Sequence, residues 1–165
     1  MTINIGVAGC LGRMGQEITK KILKDKRLNF VGGFEHKNHP KLNNKICDVA
    51  DIKSDLIISS NATKIITEAD MVIDFTTPDS TLSNIKKASL TKTGYVIGTT
   101  GINQRQLKII KSLSKKIPIL MSSNMSLGVN VLFNLVQQTA SILKGADYDI
   151  EIAETHHRHK IDAPS

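Results

Sequence analysis

Short β-branched apolar runs alternate with stretches of helical spacing along nearly the whole chain, and this alternation restricts the fold more than any other feature. Residues 3–8, with Ile3, Ile5 and Val7, form an apolar run ending in a glycine cluster, the mark of a buried strand entering a tight turn. Leu11, Met14, Ile18 and Ile22 then recur at helical spacing, with Lys20, Lys21 and Lys24 in the last turns, where cations complement the helix dipole. Strands are predicted at 28–34, 56–59, 71–75, 95–98 and 119–122. Helices are predicted after Asn61, from Thr77-Pro78 with Leu82, Ile85 and Ala88 inward, from Asn103 with Leu107, Ile110 and Leu113 inward, and over 127–144 up to Gly145. The polar stretch 36–54 reads as a long surface loop and 148–153 as a last strand. Strands that are almost continuously apolar are buried on both faces, so the pattern predicts an α/β fold, a doubly wound parallel sheet with helices on both sides.

Between the first strand and the first helix lies Gly9-Cys10-Leu11-Gly12-Arg13-Met14-Gly15, with its glycines three apart. Gly9 allows a sharp turn, Gly12 lets backbone approach a pyrophosphate, and Gly15 permits close helix–strand packing, while free helix N–H groups face the anion. Glu35, about twenty residues beyond Gly15, ends the second strand, where a carboxylate can bind an adenosine ribose. Taken alone, the glycines read equally as turn and packing residues. Two further loops follow strands at the same edge of the predicted sheet, Gly98-Thr99-Thr100-Gly101 and Ser122-Ser123-Asn124-Met125. Their small and hydroxyl residues suit a flat nicotinamide ring; as single loops, Thr99, Thr100 and Ser126 read as turn or cap residues.

The chain has 165 residues, room for one or two small domains, and its 40% hydrophobic content supports an ordinary core. Its 22 Lys and Arg against 15 Asp and Glu leave a net charge of +7. Lysine supplies most of that charge, scattered over nearly every polar segment, while arginine is scarce and aromatics are only 4%, which argues against a nucleic-acid partner. No stretch is apolar for the ~20 residues of a membrane span, and Cys10 and Cys47 form neither a disulfide framework nor a zinc site, so a soluble, cytoplasmic protein is expected.

The densest polar cluster is Glu154-Thr155-His156-His157-Arg158-His159-Lys160, followed by Ile161-Asp162-Ala163-Pro164-Ser165. So many cationic or titratable side chains in a row suit a bound anion, and a dicarboxylate would satisfy them. The competing readings are a metal site, disfavoured because Arg158 and Lys160 repel a cation, and an exposed basic turn.

The glycine loop with Arg13-Met14, the strand Val72-Ile73-Asp74-Phe75-Thr76, the turn Gly98 to Gly101, Ser123-Asn124-Met125-Ser126 with Gly128-Val129-Asn130, and above all His156 to Ser165 together resemble the 4-hydroxy-tetrahydrodipicolinate reductase family, collinearly over the whole chain. The resemblance implies a Rossmann-like dinucleotide-binding domain over residues 1–126 and, over 127–165, the opening of a mixed α/β substrate domain in a C-terminally truncated chain. It implies reduction of a cyclic imine dicarboxylate to tetrahydrodipicolinate by NADH or NADPH, in lysine and diaminopimelate biosynthesis. Gly9, Cys10, Leu11, Gly12, Arg13 and Met14 would hold the pyrophosphate, Glu35 and His36 the adenosine ribose, and Gly98, Thr99, Thr100, Ser122, Ser123, Asn124 and Met125 the nicotinamide end. His156 and Lys160 match catalytic positions, Lys160 as proton donor, and His157 a substrate contact; no metal is implied. Many relatives carry arginine after the ribose-binding acid, where His36 and then Lys37 stand here; Glu35 accepts from a ribose 2′-OH and repels a 2′-phosphate, so NADH or dual use is expected. The family's homotetramer is expected of a full-length chain, and a chain ending at Ser165 is expected to bind dinucleotide but to reduce substrate poorly or not at all; the alternative reading is a noncatalytic remnant that retains dinucleotide binding.

Overall fold

The computed structural model describes residues 2–153, 155 and 158. The chain forms two compact units, residues 1–123 and 124–165.

In the first unit five strands, β1 (Ile3–Ala8), β2 (Leu28–Phe34), β3 (Met71–Asp74), β4 (Gly94–Ile97) and β5 (Ile119–Met121), form one parallel sheet in the order β2-β1-β3-β4-β5. Parallel neighbours need crossovers, supplied by helices α1 (Arg13–Lys24), α2 (Ile46–Val49), α3 (Ala62–Glu68), α4 (Pro78–Thr91) and α5 (Gln104–Leu113). Alternation along the strands sends their side chains into two cores. Ile5, Val7 and Phe30 pack with Ile22 of α1, whereas Ala8, Val72, Tyr95 and Ile97 pack with Ile65, Ile85 and Ile110 of α3, α4 and α5. The doubly wound α/β sheet expected from the apolar strands is therefore present. Asn103 caps α5 through a reciprocal capping box with Gln106.

Three local expectations are corrected. The buried stripe of α1 is Gly15, Thr19 and Ile22, with Ile18 half-buried and Met14 exposed, because a glycine and a threonine that lodges its hydroxyl on the Gly15 carbonyl oxygen (2.8 Å) can approach the sheet more closely than a thioether. The 36–54 segment is no free surface loop. It carries α2, and its Ile46 and Ile52 are buried with Ile58 against the α1 side of the sheet. Residues 56–59 make isolated bridges in place of a strand, Ser59 beside Phe34 and Ile57 opposite Lys45.

In the second unit α6 (Leu127–Leu143) starts at Ser126, whose N–H donates to Asn124 Oδ1 at 2.8 Å. The strand expected over 148–153 is absent: an alternating apolar stretch needs a neighbouring strand edge, and Tyr148, Ile150 and Ile152 are exposed. No helix among the described residues is long and apolar enough to cross a membrane.

Candidate functional site

All five strands stop on one register row. Phe34, Ala8 and Asp74 pair in line, as do Asp74 with Ile97 and Ile97 with Met121. The segments that follow, starting at Glu35, Gly9, Phe75, Gly98 and Ser122, therefore leave the sheet side by side along its carboxyl edge. The chain crosses from one face of the sheet to the other between β1 and β3, which is where an open α/β sheet leaves a crevice.

That crevice is a cleft of about 640 Å³ lined by Gly9 and Gly12, by Glu35, His36 and Lys37, by Phe75 to Thr77, and by Ser80, Ser83, Asn84 and Lys87 of α4. Gly9 adopts φ +69, and its carbonyl oxygen accepts from Gly12 N–H at 3.0 Å, closing the turn into α1. Gly12 is the N-cap of α1 and offers no capping side chain, so the first-turn N–H groups are left for a ligand. Gly15 has no room for a side chain: a Cβ would run into the Gly9 carbonyl oxygen and lie 2.8 Å from Cys10 Cα.

Glu35 is held twice. Its N–H donates to the Ser59 carbonyl oxygen at 2.9 Å, and its Oε1 accepts from Leu11 N–H at 2.7 Å. The carboxylate expected at a ribose thus also staples the glycine turn to the end of β2. Beneath it Cys10 is fully buried, and burial, reinforced by the Glu35 charge, pushes its thiol from about 9 up to about 12. In unfolded chains this thiol ionises near pH 9, so the contribution it makes to stability is complete below pH 9 and is lost as pH rises toward 12. Buried Tyr95, raised well above 10 by burial and by Asp74, acts with the same sign. Urea unfolding at pH 8 and pH 10.5 should show wild type losing more stability than Cys10→Ala; equal losses would mean that Cys10 ionises freely in the folded protein.

Of the other residues singled out in the sequence, Arg13 and Met14 stand exposed on the first turn of α1. Gly98, Thr99 and Thr100 follow β4 and do not line the cleft; Thr100 is exposed, while Thr99 is buried with its hydroxyl turned inward. Ser122, whose N–H donates to the Ile97 carbonyl oxygen at 3.2 Å, and Ser123 follow β5, and Asn124 and Met125 open the second unit. His156, His157 and Lys160 lie outside the described residues.

Sequence reasoning assigned no role to the polar network beneath the cleft. Asp74, at 0% exposure, accepts from Thr76 N–H (2.9 Å) and Thr76 Oγ1 (2.6 Å) on Oδ1 and from the Tyr95 hydroxyl (2.6 Å) on Oδ2. A carboxylate closing an otherwise apolar strand is the signal that points to it. The α4 wall, with Ser80, Ser83 and Lys87, was also missed, since polar residues on a helix read by default as its solvated face.

A parallel sheet in this order, a glycine turn into α1 and a cleft at the crossover define the Rossmann-like class of nucleotide-binding domains. Residues 3–125 match the family model described as dihydrodipicolinate reductase, N-terminus, and residues 128–165 match that of its C-terminus. The chain belongs to the dihydrodipicolinate reductase family. It is 42% identical over 163 residues to the 4-hydroxy-tetrahydrodipicolinate reductase of Pelagibacter ubique, covering 99% of this chain and 59% of the relative. The corresponding protein of Polynucleobacter necessarius is 37% identical over 163 residues, covering 99% and 61%. The chain thus spans about three fifths of the length of these curated relatives. Among solved structures it resembles a dipicolinate-bound dihydrodipicolinate reductase from Paenisporosarcina sp. TG-14, with TM-score 0.73 and 26% identity over 100% of this chain and 62% of that one. A biliverdin reductase from Synechocystis, with TM-score 0.62 and 14% identity over 84% of this chain and 43% of that one, shares the fold alone.

Proposed function

We propose that the first unit binds NADH or NADPH for an oxidoreductase that converts 4-hydroxy-tetrahydrodipicolinate to tetrahydrodipicolinate, and that residues from 127 onward open its substrate domain. The observation that carries this reading is the cleft itself: a glycine turn with free first-turn N–H groups faces Glu35 across the crossover of a sheet whose chain belongs to a reductase family.

The Gly9 to Met14 turn lets a pyrophosphate approach the first-turn N–H groups and the positive end of α1. Glu35, with Oε1 held by Leu11, has its second oxygen for a ribose hydroxyl. Lys37 and Lys87 line the same cleft beside His36, so a 2′-phosphate would meet the lysine cations as well as the Glu35 charge, and both cofactors are accepted with NADH favoured. Within the first unit, Gly98 to Thr100 with Ser122 and Ser123 form the nicotinamide end. The nicotinamide, when bound, supplies a hydride. His156 and Lys160 supply the acid that quenches the electron density pushed onto the substrate, with Lys160 as proton donor, and His157 holds a substrate carboxylate. The homotetramer implied for full-length relatives belongs to the same proposal.

Titrating NADH fluorescence with wild type and Gly12→Val tests the cofactor site. A Cβ at Gly12 already sits 3.2 Å from the Gly9 carbonyl oxygen, and valine adds two methyl groups where the pyrophosphate must approach. Gly12→Val should bind at least tenfold more weakly with its far-ultraviolet dichroism unchanged, by an estimate from lost charge-assisted hydrogen bonds. Equal NADH affinity in the two proteins would remove the glycine turn from the cofactor site. A strong preference for NADPH over NADH would contradict the cofactor assignment.

A further inference from the structure

The carboxylate of Asp74 is fully buried and forms no ion pair among the described residues; every donor that reaches it is neutral. Burying a charge without a counter-ion is costly, and its hydrogen bonds must compensate. The last backbone tie between β3 and β4 is the bond from Gly98 N–H to the Asp74 carbonyl oxygen at 2.9 Å, and two of the donors, Thr76 and Thr99, lie beyond it. Thr76 belongs to the cleft wall, and Thr99, whose hydroxyl lies 3.4 Å from Asp74 Oδ1, belongs to the loop after β4. Thr99 Oγ1 also accepts from Thr76 N–H at 3.1 Å and shares a 2.8 Å hydrogen bond with Thr81 Oγ1 in the first turns of α4. The Tyr95 hydroxyl closes the far side of the carboxylate from within β4.

We propose that Asp74 is a positioning residue that sets the spacing between the cleft and the 98–100 loop, so that a ligand spanning both is held in register although it never touches Asp74. This rests on reading the cleft as a dinucleotide site. An amide at position 74 cannot replace the carboxylate. Thr76 N–H can only donate, so the amide oxygen must stay on that side. The amide NH₂ is then turned toward the Tyr95 hydroxyl, which must accept where it had donated, so the hydroxyl hydrogen loses its carboxylate acceptor. The network that joins the two loops is then loosened at the carboxylate they share, leaving the Thr76 N–H and Thr81 bonds to Thr99. A fragment filling only the cleft can follow a displaced wall, whereas a dinucleotide reaching from the cleft to the 98–100 loop cannot follow both.

The test compares NADH with ADP-ribose, which lacks the nicotinamide, on wild type, Asp74→Asn and Tyr95→Phe. Asp74→Asn should weaken NADH about tenfold and ADP-ribose less than about twofold, and Tyr95→Phe should weaken NADH about threefold, both from the loss of buried hydrogen bonds. A role confined to stability would lower the melting temperature and weaken both ligands alike. Equal losses for the two ligands, or no loss for either, would overturn the proposal. If Asp74→Asn does not fold, Tyr95→Phe carries the same comparison: a selective loss of NADH affinity supports the proposal, and equal or absent losses overturn it. If wild type binds neither ligand, the cofactor reading fails by itself, and amide hydrogen exchange at Thr76 and Gly98 then decides: faster exchange in the variants upholds the anchoring of the two loops, and unchanged exchange overturns it.

Discussion

Gly15→Val should cost more than about 3 kcal/mol of folding stability, enough to leave much of the chain unfolded at 37 °C. Most overpacked sites relax by moving a flexible side chain. Here the obstacles are the Gly9 carbonyl oxygen and the Cys10 Cα, both backbone, so relief requires lifting α1 off the sheet. Lifting it would expose Ile22, and would strain the Leu11 N–H bond to Glu35 that ties the turn to β2. Gly128→Ala in the first turns of α6 is the matched control. A Cβ there meets only the Ser126 Oγ, at 4.0 Å, and the change should be neutral or stabilise by up to about 1 kcal/mol through helix propensity. Urea unfolding of both variants checks the contrast. A Gly15→Val midpoint within experimental error of wild type would show that the close approach of α1 to the glycine turn does not limit stability.

In a chain extended to the length of its relatives, Lys160→Ala should lower kcat by about 10²- to 10⁴-fold while changing NADH affinity less than about twofold. A proton donor acts where charge develops, so its loss falls on the transition state and spares ground-state cofactor binding. His156→Ala should follow the same pattern. His157→Ala should instead raise KM for the dicarboxylate, since a side chain holding a carboxylate contributes to binding before and during reaction alike. Steady-state kinetics with a separate fluorescence titration of NADH resolves these effects. Unchanged kcat in both the Lys160 and His156 variants would reduce the 156–160 cluster to a basic turn.

The glycine turn shows how far sequence reasoning carries and where it stops. Its position between a β-branched run and a helical stretch was enough to place it at the carboxyl end of β1, because turn conformation and apolar period are local properties. What Glu35 does there was only half legible. A carboxylate ending the second strand suggests a ribose partner, but its hydrogen bond from Leu11 N–H joins residues 24 apart and exists only once β1 and β2 are paired. Sequence reasoning left Thr99 open between a nicotinamide contact and a turn residue. In the structure its hydroxyl is turned toward Asp74, Thr76 and Thr81, and that orientation follows from β3 and β4 ending on the same register row.

Local sequence was sufficient for the α/β alternation, the ends of β1 and β2, the capping of α5 by Asn103 and the glycine turn. Each is written in neighbouring residues or in a short period. Tertiary packing was needed to settle that Gly15 and Thr19, in place of Met14, face the sheet, that Ile46 and Ile52 in a polar stretch complete a core, and that 148–153 forms no strand. It also gathered Asp74, Tyr95, Thr76, Thr81 and Thr99 around one buried carboxylate. These outcomes depend on which surfaces meet across the sheet, and hydrogen bonds between residues 18 to 25 positions apart leave no periodic trace in a sequence.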